Sequence, residues 1–319
     1  YRKDSSVNNG DDRGYVLIEK TQTGGGDSGG DDEGGSSEGP INTNNYLTIE
    51  ARENGLTASL STNACEYCVD GDGNWKTLSV NTATESINSG QTLSFRGELT
   101  PITGGAGQGI GIFTISKKCN LKGNCMSMLF GDNAVNNYSL SDKRSAFFKL
   151  FYKCNNIVTV SSGFLPATTL ADRCYSSMFE LCTSLTTAPE LPATTLAEDC
   201  YYSMFYGCTS LTTAPALPAT TLTYRCYQHM FQGCTSLTTA PELPAMTLVS
   251  NCYRYMFYSC TKLNYIKMLA TDISASGCLY HWASSVASSG TFVKHPDMTS
   301  LPTGTSGIPE GWTVEDAVL

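Results

Sequence analysis

The sequence is poor in the residues that acid–base chemistry and anion binding need. Its 319 residues include only 3 histidines, and only 15% of the residues are charged. Lys and Arg number 20 against 29 Asp and Glu, which gives a net charge of −9. Nucleic acids and anionic membrane surfaces select for basic patches, so the composition argues against both as main partners. No run of 18 apolar residues occurs, so no membrane-spanning helix is expected.

Motifs for catalysis or metal binding are also scarce. No Gly-rich phosphate loop follows a predicted strand, and the histidines have no recognisable Ser/Asp or Cys/Asn partners. These histidines are His229, His281 and His295. The segment 70–74 resembles the start of a calcium loop, but Trp75 replaces the required glycine and Asn81 the bidentate glutamate. We therefore expect a polar turn at 70–74, no enzyme, no cofactor and no metal.

The first 40 residues predict a tether. Residues 24–39 read GGGDSGGDDEGGSSEG, without one apolar side chain, so 24–40 should be a flexible linker. Before it, 14–19 has the pattern of a single strand, which cannot fold alone. We interpret 1–23 as an N-terminal anchoring peptide that docks on another protein, with a disordered tail as the alternative.

Residues 41–118 show the alternation of short antiparallel strands. Segments 46–50 and 56–60 flank Asn54–Gly55, a strong hairpin signal, and 70–74 predicts a second hairpin. Several strands at spacings of 8–12 residues predict a small antiparallel β-sandwich, an immunoglobulin-like β domain.

The second half of the chain repeats with a period of 26 residues. Two cysteine series carry the period: Cys174, Cys200, Cys226, Cys252 and Cys278, then Cys182, Cys208, Cys234 and Cys260. The segment 147–154 is a degenerate earlier unit. A fixed period of this length predicts a solenoid. We assign it to 146–273, with a connector and N-terminal cap at 119–145 and a C-terminal cap at 274–319.

Each unit contains an apolar stripe and a Thr-rich segment. The stripe residues fall at i, i+1, i+4, i+5 and i+8: Cys174, Tyr175, Met178, Phe179 and Cys182. This spacing predicts an amphipathic helix, and the Thr-rich segment that ends at Pro189 predicts a short strand. The expected fold is a mixed α/β, leucine-rich-repeat-like solenoid, with helices near 174–181, 200–207, 226–233 and 252–259.

The string Met204–Leu211, MFYGCTSL, resembles the BspA-like leucine-rich repeats of Bacteroidales surface proteins. It recurs four times and covers about 146–273, although the family's common unit is a few residues shorter. The resemblance implies adhesion and ligand binding rather than catalysis. Similar arrays behind a β domain also resemble modules on virion fibres of phages that infect gut Bacteroidales.

The 14 cysteines are expected mainly as buried thiols. The two cysteines of one predicted helix lie about 12 Å apart, beyond disulfide reach, and neighbouring helices are also too distant. Disulfides between non-equivalent units are the alternative. Three alternatives stay open for the cysteines outside the repeats, which are Cys65, Cys68, Cys119 and Cys125. They could be unpaired strand residues, they could form a cross-strand disulfide helped by a turn at 122–124, or they could form a zinc site.

The units differ mainly at positions opposite the apolar stripe, which predicts a solvent face. The aromatic and polar residues there are our candidate binding residues: Tyr202, Tyr206, Tyr224, Arg225, His229, Arg254, Tyr255 and Tyr258. Tyrosine and arginine are typical interface anchors. Unconstrained surface variation is one alternative. A Thr-rich binding face is another, made of Thr186, Thr187, Thr212, Thr213, Thr238 and Thr239.

An anchor, a linker, a β spacer and a capped repeat array suit a display protein. We expect a virion structural protein at the virion surface, a phage fibre or decoration protein for host attachment. Its partners would be a capsid or tail protein at the N-terminal peptide and a host-surface glycan or protein at the repeats. A homo-oligomer is left open. The alternative is a secreted bacterial adhesin at the cell surface.

Overall fold

A computed structural model describes residues 40–101 and 109–318. Over these residues the secondary structure is mainly strand and turn, with one α-helix of four residues, α1 (Ser127–Phe130), and two 3-10 helices, Thr43–Asn45 and Gly131–Asn136. The predicted α/β solenoid of leucine-rich repeats is therefore wrong. The predicted anchoring peptide (1–23) and all but the last residue of the predicted linker lie outside the described residues. In the described part of the chain, no helix has the length and apolar character needed to cross a bilayer.

The N-terminal part contains eight short strands. They are β1 (Leu47–Ala51), β2 (Ala58–Leu60), β3 (Cys65–Val69), β4 (Lys76–Leu78), β5 (Thr92–Arg96), β6 (Phe113–Ile115), β7 (Cys119–Gly123) and β8 (Ile157–Val160). Six of them form one sheet in the order β4-β3-β5-β1-β7-β8, and β2 and β6 form a separate pair. All pairs are antiparallel except β7–β8, which is parallel. Within 41–118 every strand pair is antiparallel, as predicted. The sheet continues through β7 to the parallel β8, so as a whole it is a mixed sheet and not the predicted immunoglobulin-like antiparallel β-sandwich.

The two predicted hairpins have different outcomes. The turn at 70–74 is confirmed, since β3 and β4 pair with Cys65 opposite Leu78. The hairpin at Asn54–Gly55 is wrong, because β1 pairs with β5 and β7 while β2 pairs with β6. Ile49 in β1 is fully buried, opposite Leu93 on one side and Leu121 on the other. Burial in the middle of the sheet outweighs the local turn signal.

The segments predicted as helices are runs of four-residue turns. The N–H of Cys174 donates to the carbonyl of Ala171, three residues earlier, whereas the N–H of Tyr175 donates to the carbonyl of Cys200 in the next unit. The two kinds of bond alternate along the segment. Arg173, Ser177 and Leu181 have φ of 58°, 55° and 62°. An α-helix requires i→i−4 bonds and negative φ throughout.

The opposite side of the repeats is extended and pairs in parallel. Bridges join Thr159 to Thr187, Thr187 to Thr213, and Thr239 to Tyr265. Three further strands continue this side: β9 (Tyr265–Met268), β10 (Thr291–Lys294) and β11 (Thr313–Asp316). They form a parallel sheet in the order β11-β10-β9.

The core between the two sides is built from columns of identical residues. Met204 and Phe205 are fully buried, so the predicted burial of the apolar stripe is confirmed. Phe205 stacks between Phe179 and Phe231, with ring centroids 5.8 Å and 5.7 Å away. All fourteen cysteines are free and buried. The Cys208 thiol donates to the carbonyl oxygen of Phe179 at 3.1 Å, and the thiols at its equivalent positions make the same bond.

Candidate binding face on the turn segments

We use the name turn face for the outer side of the turn segments, residues 145–153, 173–181, 199–207, 225–233, 251–259 and 277–285. Its backbone is fixed by three columns of residues with positive φ. The middle column consists of Lys149, Ser177, Ser203, His229, Tyr255 and His281. Because each turn is hydrogen-bonded to the unit that follows, the side chains of a column lie beside one another.

Aromatic rings form a continuous row at the C-terminal end of the turn face. The rings of His229 and Tyr255 stack at 5.0 Å, and those of Tyr255 and His281 at 5.6 Å. Tyr258 and Tyr280 each contact the Tyr255 ring edge-on at 5.5 Å. Sequence reasoning missed Tyr280 and His281, because the period appeared to end before them and 274–319 was assigned to a cap. Their spacing of 26 residues from Arg254 and Tyr255 was the signal that could have identified them.

Two of the predicted arginines are held in place by rings and a carboxylate. The Arg225 guanidinium lies 4.6 Å from the Tyr224 ring centroid and 2.9 Å from Asp199 Oδ2. Burial raises the pKa of Asp199, and the positive charge of Arg225 opposes that shift. Arg254 lies 4.5 Å from the Tyr280 ring centroid. Both arginines therefore have defined positions before any partner binds.

A groove of about 510 Å³ crosses the N-terminal units of the turn face. Three successive units supply its main lining residues, Phe148, Lys149, Arg173, Glu180, Tyr202 and Tyr206. Ser176 also lines the groove; it is 1% exposed, and its Oγ has no hydrogen-bond partner in the part of the chain that the structure describes. Burial raises the pKa of Tyr202, so its phenol stays protonated at neutral pH.

His229 joins the groove to the aromatic row. Its Nδ1–H donates to Oε1 of Gln232, and its Nε2 accepts from the Gln228 amide at 3.0 Å. Burial lowers the pKa of His229, and the positive charge of Arg254 lowers it further. The ring is therefore neutral at pH 7, as this hydrogen-bond pattern requires.

The eight predicted binding residues fall into three neighbouring places on the turn face. Tyr202, Tyr206 and His229 line the groove. The aromatic row contains Tyr255 and Tyr258, with Arg254 against it. Tyr224, which is 38% exposed, stacks with Arg225 on the remaining side. Sequence reasoning missed Lys149, because its unit is degenerate. It also left out Arg173, although the equivalent Arg225 was selected.

The Thr-rich side offers less variety of chemistry. Several threonine hydroxyls there donate to backbone carbonyls of the preceding unit, as Thr186 does to Val158 at 3.0 Å and Thr212 does to Thr186 at 3.4 Å. These hydroxyls help to hold adjacent units together. Thr187 and Thr213 are exposed, so this side stays an alternative face.

The cysteines outside the repeats do not form a metal centre in the described part of the chain. Cys65, Cys68, Cys119 and Cys125 are all free and buried, and no cluster of three or more His, Cys, Asp or Glu ligands is found there. Cys119 begins β7, and 122–124 continues from that strand instead of forming the predicted turn. Burial raises the pKa of the Cys119 thiol to about 12, so it stays protonated.

No family model, curated protein or solved structure matches this chain. Any functional proposal therefore depends on the chemistry of the turn face and on the sequence pattern.

Proposed function

We propose that this is a non-catalytic display protein that uses its turn face to attach to a host-surface glycan or protein. The row of stacked rings from His229 to His281, with Arg254 against it, is the observation that carries the proposal. Aromatic and arginine side chains supply much of the binding energy of protein interfaces.

The packing of these side chains favours tight binding. Tyr255 contacts His229, Tyr258, Tyr280 and His281, so its ring is restrained before a partner arrives. Immobilising a free side chain costs roughly 0.5–1.5 kcal/mol on association. A ring already held by its neighbours avoids most of that cost.

The proposal places the protein on a phage virion, as a fibre or decoration protein tethered by residues 1–40. The glycine-rich acidic segment and the resemblance of the repeats to BspA-like units support this placement. A secreted bacterial adhesin is the alternative. Labelling with an antibody against residues 41–318 distinguishes them: gold particles on purified virions support the first, and labelling of uninfected cells alone supports the second.

The binding test replaces four tyrosines of the turn face. A variant with Tyr202, Tyr206, Tyr224 and Tyr258 changed to Ser should lose binding to intact host cells while keeping its urea midpoint close to that of the wild type. The matched control changes exposed threonines of the opposite side, Thr187, Thr213 and Thr239, to Ala and should still bind. The reverse result would move the binding site to the Thr-rich side.

A further inference from the structure

The groove at the N-terminal end of the turn face has two cations that lie beyond ion-pair distance of any carboxylate in the described residues, although the charge of Arg173 still lowers the pKa of Asp199 against the rise that burial causes. Lys149 and Arg173 both line it, and within the described residues neither forms an ion pair. Instead, both lie against the Phe148 ring, with the Lys149 ammonium 5.2 Å and the Arg173 guanidinium 5.6 Å from its centroid. A cation–π contact fixes a cation without using its N–H donors. In a chain of net charge −9, such a cationic pair is a local exception.

Two buried polar atoms at the groove have no hydrogen-bond partner among the described residues. They are the Oγ of Ser176 and the Nε of Arg173. Ser176 is 1% exposed, so its hydroxyl has no easy access to bulk water. Buried polar atoms are almost always hydrogen-bonded in folded proteins. Five other buried polar atoms in the described residues also lack a partner, so these two do not identify a ligand by themselves; they add two unused hydrogen-bonding groups to a groove that already holds two cations.

The rest of the groove wall consists of aromatic side chains and a small side chain between them. Tyr202 and Tyr206 lie one turn apart, and between them Ser203 adds a short side chain that leaves room. Tyrosine rings pack well against the C–H faces of sugar rings, and a phenol can also bond a sugar hydroxyl. Glu180 also lines the groove, and its negative charge weakens the attraction of the groove for an anion. The volume, about 510 Å³, lies within the usual range of small-ligand sites, roughly 300–1,000 Å³.

We propose that this groove binds a sugar that carries a carboxylate. Arg173 and Lys149 donate to the carboxylate, and Tyr202 and Tyr206 pack on the sugar ring. The Glu180 carboxylate lines the same groove, and its negative charge opposes that of the sugar. This proposal rests on the proposed function, because it assumes that the turn face is the binding surface.

The first test compares an acidic sugar with its neutral counterpart. Saturation-transfer NMR on the full chain, titrated with glucuronic acid, N-acetylneuraminic acid or glucose, should give affinities for at least one acidic sugar roughly tenfold above glucose, since a charge-assisted bond is lost with the neutral sugar. High salt should weaken the binding of the acidic sugar more than the binding of glucose. Equal affinities, or no binding of either acidic sugar, would overturn the proposal.

Variants then locate the site by effects of opposite sign. Arg173→Gln should weaken binding of the acidic sugar roughly tenfold, whereas Glu180→Gln should tighten it a few-fold because a like charge is removed. A gain in affinity cannot result from misfolding. Lys262→Gln, which removes the same charge from an exposed position outside the groove, is the control and should bind as the wild type does. Weaker binding by Glu180→Gln, or an unchanged affinity in Arg173→Gln, would reject the groove.

The cell-binding assay separates this proposal from the proposed function. If neither acidic sugar binds but the four-tyrosine variant still loses cell attachment, the acidic-sugar site is wrong and the turn face stands. If an acidic sugar binds as expected while the four-tyrosine variant attaches normally, the groove stands and the role of the turn face in attachment is wrong.

Discussion

Every fourth residue of the turn segments has a positive φ, and most of these residues are not glycine. In the third column, Leu181 (62°) and Ser259 (60°) occupy the same backbone position as Gly207 (68°) and Gly233 (74°). The left-handed region costs an ordinary residue roughly 1–2 kcal/mol, and glycine almost nothing. The inter-unit hydrogen bonds must hold the non-glycine residues in this conformation.

The sign of a glycine substitution therefore separates a turn from a helix. Gly233→Ala should lower the free energy of unfolding by about 1 kcal/mol, because φ is +74° while the added Cβ finds ordinary contacts, the nearest 3.7 Å away. In a helix interior, the same change would raise it by about 1 kcal/mol. Urea denaturation measures the difference. Ser259→Gly, at the equivalent position, should leave the free energy of unfolding unchanged or raise it slightly. A clear decrease would contradict the assignment of these segments as turns.

At the scale of an element, a turn segment is stable only as part of the stack. Each four-residue turn has one i→i−3 bond within its own unit. The backbone N–H groups that alternate with these donors bond to the next unit, as the N–H of Tyr201 does to the carbonyl of Cys226. Its apolar side chains likewise stack on their equivalents, Tyr201 lying 5.8 Å from Tyr227. An isolated unit would leave half of these backbone donors and both ring faces unpaired.

Truncating a ring in the middle of a column should therefore be costly. Phe205→Ala removes a fully buried ring from between two stacked neighbours, and should reduce the free energy of unfolding by about 3–5 kcal/mol. Tyr206→Ala, on the half-buried turn face, should cost about 1 kcal/mol or less. Denaturant midpoints measure both. If the two variants unfolded at the same midpoint, the stacked column would not be a main source of stability.

The apolar pattern predicted which residues are buried but not the local backbone. A spacing of i, i+1, i+4, i+5 and i+8 repeats every four residues, and over nine residues a four-residue turn and a 3.6-residue helix bury nearly the same side chains. Non-glycine residues such as Arg173 and His229 gave no sign of a positive φ. Gly207 and Gly233 stand at the last residue of the predicted helices, where glycine commonly ends a helix, so they gave no warning either.

The candidate site was predictable only in part, for a similar reason. The period placed Tyr202, Tyr206 and His229 on one face, and the structure brings them to one groove. Lys149 comes from the first unit, where the spacing to the next unit is 28 residues instead of 26 and the sequence match is weak. Arg173 lies in a regular unit, 52 residues before the equivalent Arg225, and the period alone did not single it out. Which cation is left without a carboxylate partner depends on side-chain geometry, and the repeat pattern carries no information about it.

At the scale of the whole molecule, one buried apolar cluster runs from Leu47 in β1 to Trp312 near the C-terminal end of the described residues. Trp282 lies inside it, and its Nε1–H donates to the carbonyl of Gly307 at 2.8 Å. All fourteen thiols are buried. Their accessibility therefore reports on the integrity of the whole fold.

Thiol alkylation should consequently be all-or-none. Native protein at neutral pH should react slowly at every cysteine, whereas protein denatured without reductant should gain all fourteen alkyl groups, because none of the thiols is paired. Intact-protein mass spectrometry counts the groups. A parallel sample reduced before alkylation is the control and should give the same mass. A higher count after reduction would reveal disulfides.

The same thiols should make the fold sensitive to alkaline pH. Burial raises the pKa of Cys65, Cys119, Cys154, Cys174 and Cys260 to about 12, against 9.0 for an ordinary thiol. Above pH about 9 the unfolded chain therefore holds fewer protons than the folded one, and the free energy of unfolding falls as pH rises. Each such thiol contributes up to about 1.4 kcal/mol per pH unit between these values.

Urea titrations at a series of pH values test this linkage. The midpoint should change little between pH about 7 and 8, then fall steeply from about 9 upward, while the urea dependence m stays constant. From about pH 10, the buried tyrosine column, which includes Tyr201 and Tyr227, should steepen the loss, because burial raises the pKa of these phenols as well. A midpoint that stays level up to pH about 10.5 would mean that the thiols ionise as easily in the folded protein as in the unfolded chain, which burial in this core does not allow.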